Sequence, residues 1–201
     1  MGSTLLIGSC EPFSGKSALV LGIARHLRSS GTRVLFGKPL ATSLDWDSGR
    51  GDPPSPLIDD DVRFVGETLG LPQQDLIPSL HLLSPQTAQT RLGSGTLAAG
   101  EGLEQLRTNL QQSEAGVTLL EAAGNLNEGL LYGLSLVQLA RDLDAPVVLV
   151  HLWEDSRSVD ALLAASQQLG DRLRGVVLNA VIPDDVENLC LLYTSDAADD
   201  C

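Results

Sequence analysis

An apolar run, Leu5-Leu6-Ile7, stops at Gly8, and Ser9-Cys10-Glu11-Pro12-Phe13-Ser14-Gly15-Lys16-Ser17 carries the chain into a helix-periodic stretch that starts at Ala18. No other stretch constrains the fold as strongly. A buried strand that turns through small and polar residues into a helix N-terminus aims several backbone N–H groups at one point, a cradle for phosphate oxygens. Lys16 adds an ammonium for the outer phosphates, and Ser17 adds a hydroxyl for Mg²⁺. Gly8, Glu11, Ser14, Gly15, Lys16 and Ser17 are therefore the loop's candidate nucleotide-binding residues. The usual spacing asks for a glycine where Cys10 stands, and an ordinary Gly/Ser turn before a helix is the competing reading.

The rest of the chain alternates two patterns. Buried strands are predicted over 4–8, 33–39, 117–121, 145–151 and 174–181, each a short, nearly continuous apolar run. Between them, helices are predicted over 16–29, from Asp59 to about position 69, and over 101–112, 135–143 and 156–169, the last capped by Ser156. Leu19, Val20, Ile23, Ala24 and Leu27 give the first helix its apolar face. Strands alternating with helices predict an α/β fold with a doubly wound, mainly parallel sheet and flanking helices. Residues 42–56, rich in Asp, Gly, Ser and Pro, read as a mobile loop, with Trp46 able to cover a ligand. Residues 70–100, broken by Pro72, Pro78 and Pro85, are read as short helices or a cover over the site.

Charge narrows the function. The net charge of −13 leaves no basic surface for nucleic acid or an anionic membrane. No apolar run is long enough to span a bilayer, and the N-terminus enters a strand without an export signal, so a cytoplasmic protein is expected. Of the 13 basic residues only Lys16 and Lys38 are lysine. Both stand at strand ends, which marks Lys38 as a functional candidate beside Lys16, since arginine does not reproduce a compact, flexible ammonium. Glu121 ends the strand over 117–121, where a carboxylate suits Mg²⁺ held directly or through water. Asp59, Asp60 and Asp61 open a helix, and their simplest role is capping. His26, His81 and His151 show no metal-ligand spacing and read as surface or packing residues.

The run from Cys190 to Cys201 fits neither helix nor strand logic. It resembles the conceptual translation of a transposase-type sequencing adapter, so residues 1–189 are read as the domain and 190–201 as a non-native tail. Cys10 is then the one cysteine of the domain, which leaves no disulfide or zinc framework.

Taken in order, Gly8 to Ser17, Gly37-Lys38-Pro39, Asp61, Glu121-Ala122-Ala123-Gly124 and Asn179 resemble the dethiobiotin-synthetase-like P-loop family. Within it the chain is most similar to the N-terminal domain of some phosphotransacetylases, where a DRTGG domain commonly follows. The resemblance implies a P-loop NTPase fold, with ATP and Mg²⁺ as cofactors. It implies catalytic roles for Lys16 and Lys38, Mg²⁺ ligation by Ser17, Asp61 and Glu121, and adenine reading by Asn179. A GTP-type Asn-Lys-x-Asp run is absent at Asn179, in favour of ATP. A DRTGG-like domain beyond residue 189 and a homodimer are further expectations of the resemblance.

Three functions stay open on these residues. The first is a regulatory Mg·ATP-binding module of a phosphotransacetylase-related protein. The second is an ATP-dependent ligase that activates a carboxylate or carbamate by phosphoryl transfer, with a small acid or amine as partner. The third is a P-loop-shaped scaffold without nucleotide.

Overall fold

Neighbouring residues along each central strand part to opposite sides, as the period of two requires. Leu6, Leu35, Leu120 and Leu149 join one buried cluster, while Ile7, Phe36, Leu119 and Val150 join another. A sheet buried on both faces needs a helical layer on each, and the chain supplies them.

The computed structural model describes residues 3–45, 55–95, 101–112, 116–155, 157–183 and 186. Trp46, most of the loop over 42–56, Ser156 as a cap and the whole tail over 190–201 lie outside the described residues. The elements, in order, are β1 (Ser3–Ser9), α1 (Lys16–Ser29), β2 (Val34–Gly37), β3 (Leu40–Ala41), α2 (Asp60–Leu69), β4 (Leu76–Ile77) and β5 (His81–Leu82). Then come α3 (Pro85–Ser94), α4 (Glu101–Gln112), β6 (Val117–Glu121), α5 (Leu136–Asp142), β7 (Val147–Leu152), α6 (Arg157–Leu169) and β8 (Leu173–Asn179).

Six strands form a parallel sheet in the order β4-β2-β6-β1-β7-β8. Val20 and Ala24 of α1, with Val62 and Val65 of α2, pack one face. Leu106 of α4, Leu136 and Leu139 of α5 and Ala165 of α6 pack the other. This is the doubly wound α/β fold expected from the alternation, and β1 lies at its centre between β6 and β7. Pairing of Ile7 with Glu121 and of Gly37 with Leu120 brings the C-terminal ends of β1, β2 and β6 level.

Three elements differ from expectation. The stretch over 70–100 contributes a sixth strand, β4, which pairs with β2, and Asp75 just before it is bound by Arg33 at 2.6 Å. The strand expected over 33–39 ends at Gly37, and the chain re-enters as β3, paired with β5 in a separate two-stranded sheet. α2 begins one residue later than expected, because Asp59 is its N-cap: the Asp59 side chain accepts from the Asp61 N–H. Ser135 and Gln138 form a reciprocal capping box that starts α5.

Candidate functional site

The turn from β1 to α1 passes through two left-handed residues, Phe13 (φ 60°) and Gly15 (φ 102°). Gly15 is required twice. Its φ disfavours a side chain, and an added Cβ would lie 2.6 Å from Asn179 Nδ2. Phe13 adopts its conformation with a full aromatic side chain, 96% exposed at the loop tip. Gly15 caps α1 without a side chain, and its carbonyl accepts from the Leu19 N–H at 3.1 Å.

Lys16 is the first residue of α1 and is buried. Its Nζ donates to Ser9 Oγ at 2.9 Å and to the Gly124 carbonyl at 3.0 Å. Both acceptors are neutral. Burial therefore lowers the lysine's pKa, and the nearby charge of Glu121 only partly opposes the shift.

Lys38 lies just past β2 and is equally buried, but carboxylates surround it. Its Nζ donates to Asp61 Oδ2 at 2.7 Å, Asp59 Oδ1 at 3.3 Å and Thr42 Oγ1 at 2.5 Å. Burial is the largest single influence and lowers its pKa, yet the summed pull of Glu121, Asp59 and Asp61 raises it. Asp59, fully buried, also accepts from the backbone N–H groups of Thr42 and Ser43 at 2.7 and 3.1 Å. One carboxylate thus caps α2, pairs Lys38 and fastens the chain after β3.

Glu121 ends β6 between these lysines. Ser17 Oγ donates to its Oε1 at 3.2 Å, while its Oε2 is buried without a hydrogen-bond partner. Burial raises the carboxyl to about 7, against the pull of Lys38 and Lys16. An orphaned, buried carboxylate oxygen beside a serine hydroxyl fits a hard divalent cation, which takes oxygen donors. Ser17 and Glu121 are the residues that would hold Mg²⁺. Asp61 reaches the same space, with its Oδ2 already on Lys38.

These groups share one cavity of about 750 Å³, whose wall includes Ser14, Gly15, Lys16, Ser17, Lys38, Asp61 and Glu121. Thr42, Ser43, Leu83, Gly124 and Glu128 line it too, and sequence reasoning singled out none of these five as site residues. Glu128 is positioned by a missing side chain: a Cβ on Gly124 would lie 1.6 Å from Glu128 Oε2. The two lie only four residues apart, but the loop between β6 and α5 has no period that would show which way Glu128 turns.

Three candidate nucleotide-binding residues lie outside the cavity wall: Gly8 and Glu11 of the loop, and Asn179, expected at the adenine. Gly8 belongs to β1, pairs with Leu149 and packs on Leu136, whose Cδ2 would lie 2.2 Å from an added Cβ. Its lack of a side chain serves helix packing, and it does not line the cavity. Glu11 turns away, accepting from the Leu152 N–H at 2.8 Å and lying 2.6 Å from His151 Nδ1. Asn179, at the end of β8, donates from Nδ2 to the Ser14 carbonyl at 2.9 Å and accepts from its neighbour's N–H through Oδ1. In this arrangement its amide steadies the loop from outside the cavity. His151 is also more than a packing residue, since the fold sets it against Glu11.

A profile of the AAA domain family matches residues 3–195. Among solved structures, the signal recognition particle receptor FtsY of Elizabethkingia anophelis in complex with GDP is 14% identical with a TM-score of 0.49, covering 89% of this chain and 49% of that one. The kinase domain of the Escherichia coli tyrosine kinase ETK is 16% identical with a TM-score of 0.49, covering 90% of this chain and 68% of that one. The chimerical protein CapA2B2 is 15% identical at the same TM-score, covering 90% and 77%. The chain spans about half the length of the FtsY structure. No helix among the described residues is long and apolar enough to cross a membrane.

Proposed function

Because the chain belongs to the AAA domain family and is a P-loop, NTPase-like nucleotide-binding domain, we propose that it binds ATP with Mg²⁺ as a regulatory module of a phosphotransacetylase-related, dethiobiotin-synthetase-like protein. The observation that carries this reading is the convergence of Lys16, Ser17, Lys38 and Glu121 on one cavity. Lys16 binds the outer phosphates by giving up neutral acceptors for anionic ones, which compensate the burial that lowers its pKa. The loop's backbone N–H groups and the start of α1 hold the remaining phosphate charge. Ser17 and Glu121 would hold Mg²⁺, which would supply neutralisation of phosphate charge. Asn179 meets the adenine at the loop's outer side once its amide leaves the Ser14 carbonyl.

Lys38 favours binding over turnover. In a ligase this ammonium faces the transferred phosphoryl group, and here Asp59, Asp61 and Thr42 already engage it. A ligase reading draws support from the cavity's reach past Lys38 to Thr42, Ser43 and Leu83, which leaves room for a small acid or amine acceptor. There the chain's own residues would orient a carboxylate or carbamate oxygen toward the outermost phosphate, with Lys16 and Lys38 stabilising the charge in transfer.

Calorimetry with Mg·ATP tests the first reading. The wild type is expected to bind at one site, and Lys16→Ala to weaken binding by about 100-fold, the worth of two charge-assisted hydrogen bonds. Equal affinity of the variant would sink the reading and leave a scaffold. Steady ATP turnover that depends on CO₂ and a diamine would instead establish the ligase.

A further inference from the structure

Outside the nucleotide cavity, the described residues hold one grouping of metal-ligating side chains: Cys10, Glu11 and His151. We propose that these three form a second metal site, for a borderline-soft divalent cation of the Zn²⁺ type, at the root of the phosphate loop.

The geometry comes first. One ligand atom from each residue lies within 4.8 Å of the other two. Zinc bonds of about 2.0–2.3 Å at tetrahedral angles put neighbouring ligand atoms roughly 3.3–3.7 Å apart. The Glu11–His151 contact of 2.6 Å therefore opens slightly on binding, and the sulfur closes in.

The second observation is His151 itself. It is 5% exposed, and neither ring nitrogen makes a hydrogen bond. Glu11 accounts for one nitrogen by proximity, without hydrogen-bond alignment, and nothing accounts for the other. A buried imidazole with an unused nitrogen costs free energy that a metal bond would recover.

The surroundings fit as well. Glu11 Oε1 accepts from the Leu152 N–H, which fixes the carboxylate and leaves Oε2 toward the site, the kind of outer support that metal ligands carry. Cys10 Sγ has only a long contact, 3.7 Å, to the Ala161 carbonyl. On binding, the S–H proton passes to solvent and the freed sulfur pair forms the metal bond. A cavity of about 320 Å³, whose wall includes Glu11, His151 and Ala161 but not Cys10, gives an entry path from the Glu11–His151 side and a fourth position for water. One thiolate, one imidazole and one carboxylate select zinc or cobalt over the oxygen-loving Mg²⁺.

Cobalt reports thiolate ligation directly. The full chain, freed of metal with a chelator and without nucleotide or Mg²⁺, is titrated with CoCl₂. A sulfur-to-cobalt charge-transfer band with tetrahedral visible bands is expected at one equivalent, and ZnCl₂ should abolish both. Cys10→Ser, nearly isosteric, should remove the charge-transfer band, and Cys190→Ser with Cys201→Ser should keep it. His151→Gln should weaken binding by roughly 10–100-fold. Zinc calorimetry in two buffers of different ionisation enthalpy should read about one proton released per metal. Absence of the band in wild type overturns the proposal, as does a band that survives Cys10→Ser.

Discussion

The two ends of the nucleotide cavity each bury an ammonium, and they do so in opposite ways. Lys16 rests on a hydroxyl and a carbonyl, and burial pulls its pKa down. Lys38 rests on two carboxylates and a hydroxyl, and its pKa goes up. The first is a cation whose direct partners are neutral dipoles, with carboxylates only at longer range, a poor arrangement for stability and a good one for capturing an anion. The second is already neutralised and ties α2, the chain after β3 and the end of β2 together. Two lysines alike in burial thus differ in what compensates them: Lys38 is held by carboxylates, Lys16 by neutral acceptors.

The largest expected effect separates them by stability. Lys38→Met strands the buried Asp59 carboxylate and should cost about 3–5 kcal/mol, the usual result of breaking a buried pair. Lys16→Met strands no charge and should stay within about 1 kcal/mol of wild type. Urea denaturation of both variants checks this, and equal losses would erase the distinction.

Next in size is the carboxylate between them. Glu121 titrates near 7 in the folded chain and near 4.5 in the unfolded one. Below pH 4.5 both states are protonated and nothing is lost. From 4.5 to 7 the unfolded chain releases its proton first, so this group's contribution to stability falls as pH rises, by on the order of 3 kcal/mol. Above 7 the loss is constant. Glu121→Gln should flatten that slope in denaturation curves taken across the window. Mg·nucleotide affinity should strengthen over the same window in wild type, because the cation needs the ionised carboxylate.

A smaller effect tests the loop that holds Lys16. Gly15→Ala meets a left-handed φ and the Asn179 amide at once, and should cost about 1–3 kcal/mol with weakened nucleotide binding. The smallest is Asn179→Ala, which frees the Ser14 carbonyl and should cost about 1 kcal/mol. A fall in ATP affinity much larger than that stability loss would point to adenine contact beyond loop support.

The features legible in the sequence are those encoded within a few residues. β1, β6 and β7 are long apolar runs, and α1 shows its period over several turns. β4 escaped notice because Leu76–Ile77 is two residues long, too short to carry a period, and is a strand only through β2 beside it. The site divides likewise. Lys16, Ser17, Lys38 and Glu121 sit at strand ends or a helix start, where pattern and position agree. Glu128 is read only through its contact with Gly124, and His151 only through register that brings the end of β7 to Glu11. Gly8 and Glu11 show the converse: loop membership is visible in sequence, but the side to which a residue turns is not.

The strand order sets a timetable for assembly. β1 is made first, yet its sheet neighbours are β6 and β7, so Ser3 waits for Val117 and Leu6 for Val147. Each closure spans more than half the chain, a non-local contact of the kind that slows folding. On the ribosome the phosphate loop emerges early without a sheet to hold it, and β1 lacks its strand neighbours until β6 and β7 are translated. Nucleotide can therefore reward only the finished domain, acting as a seal on folding rather than a template for it.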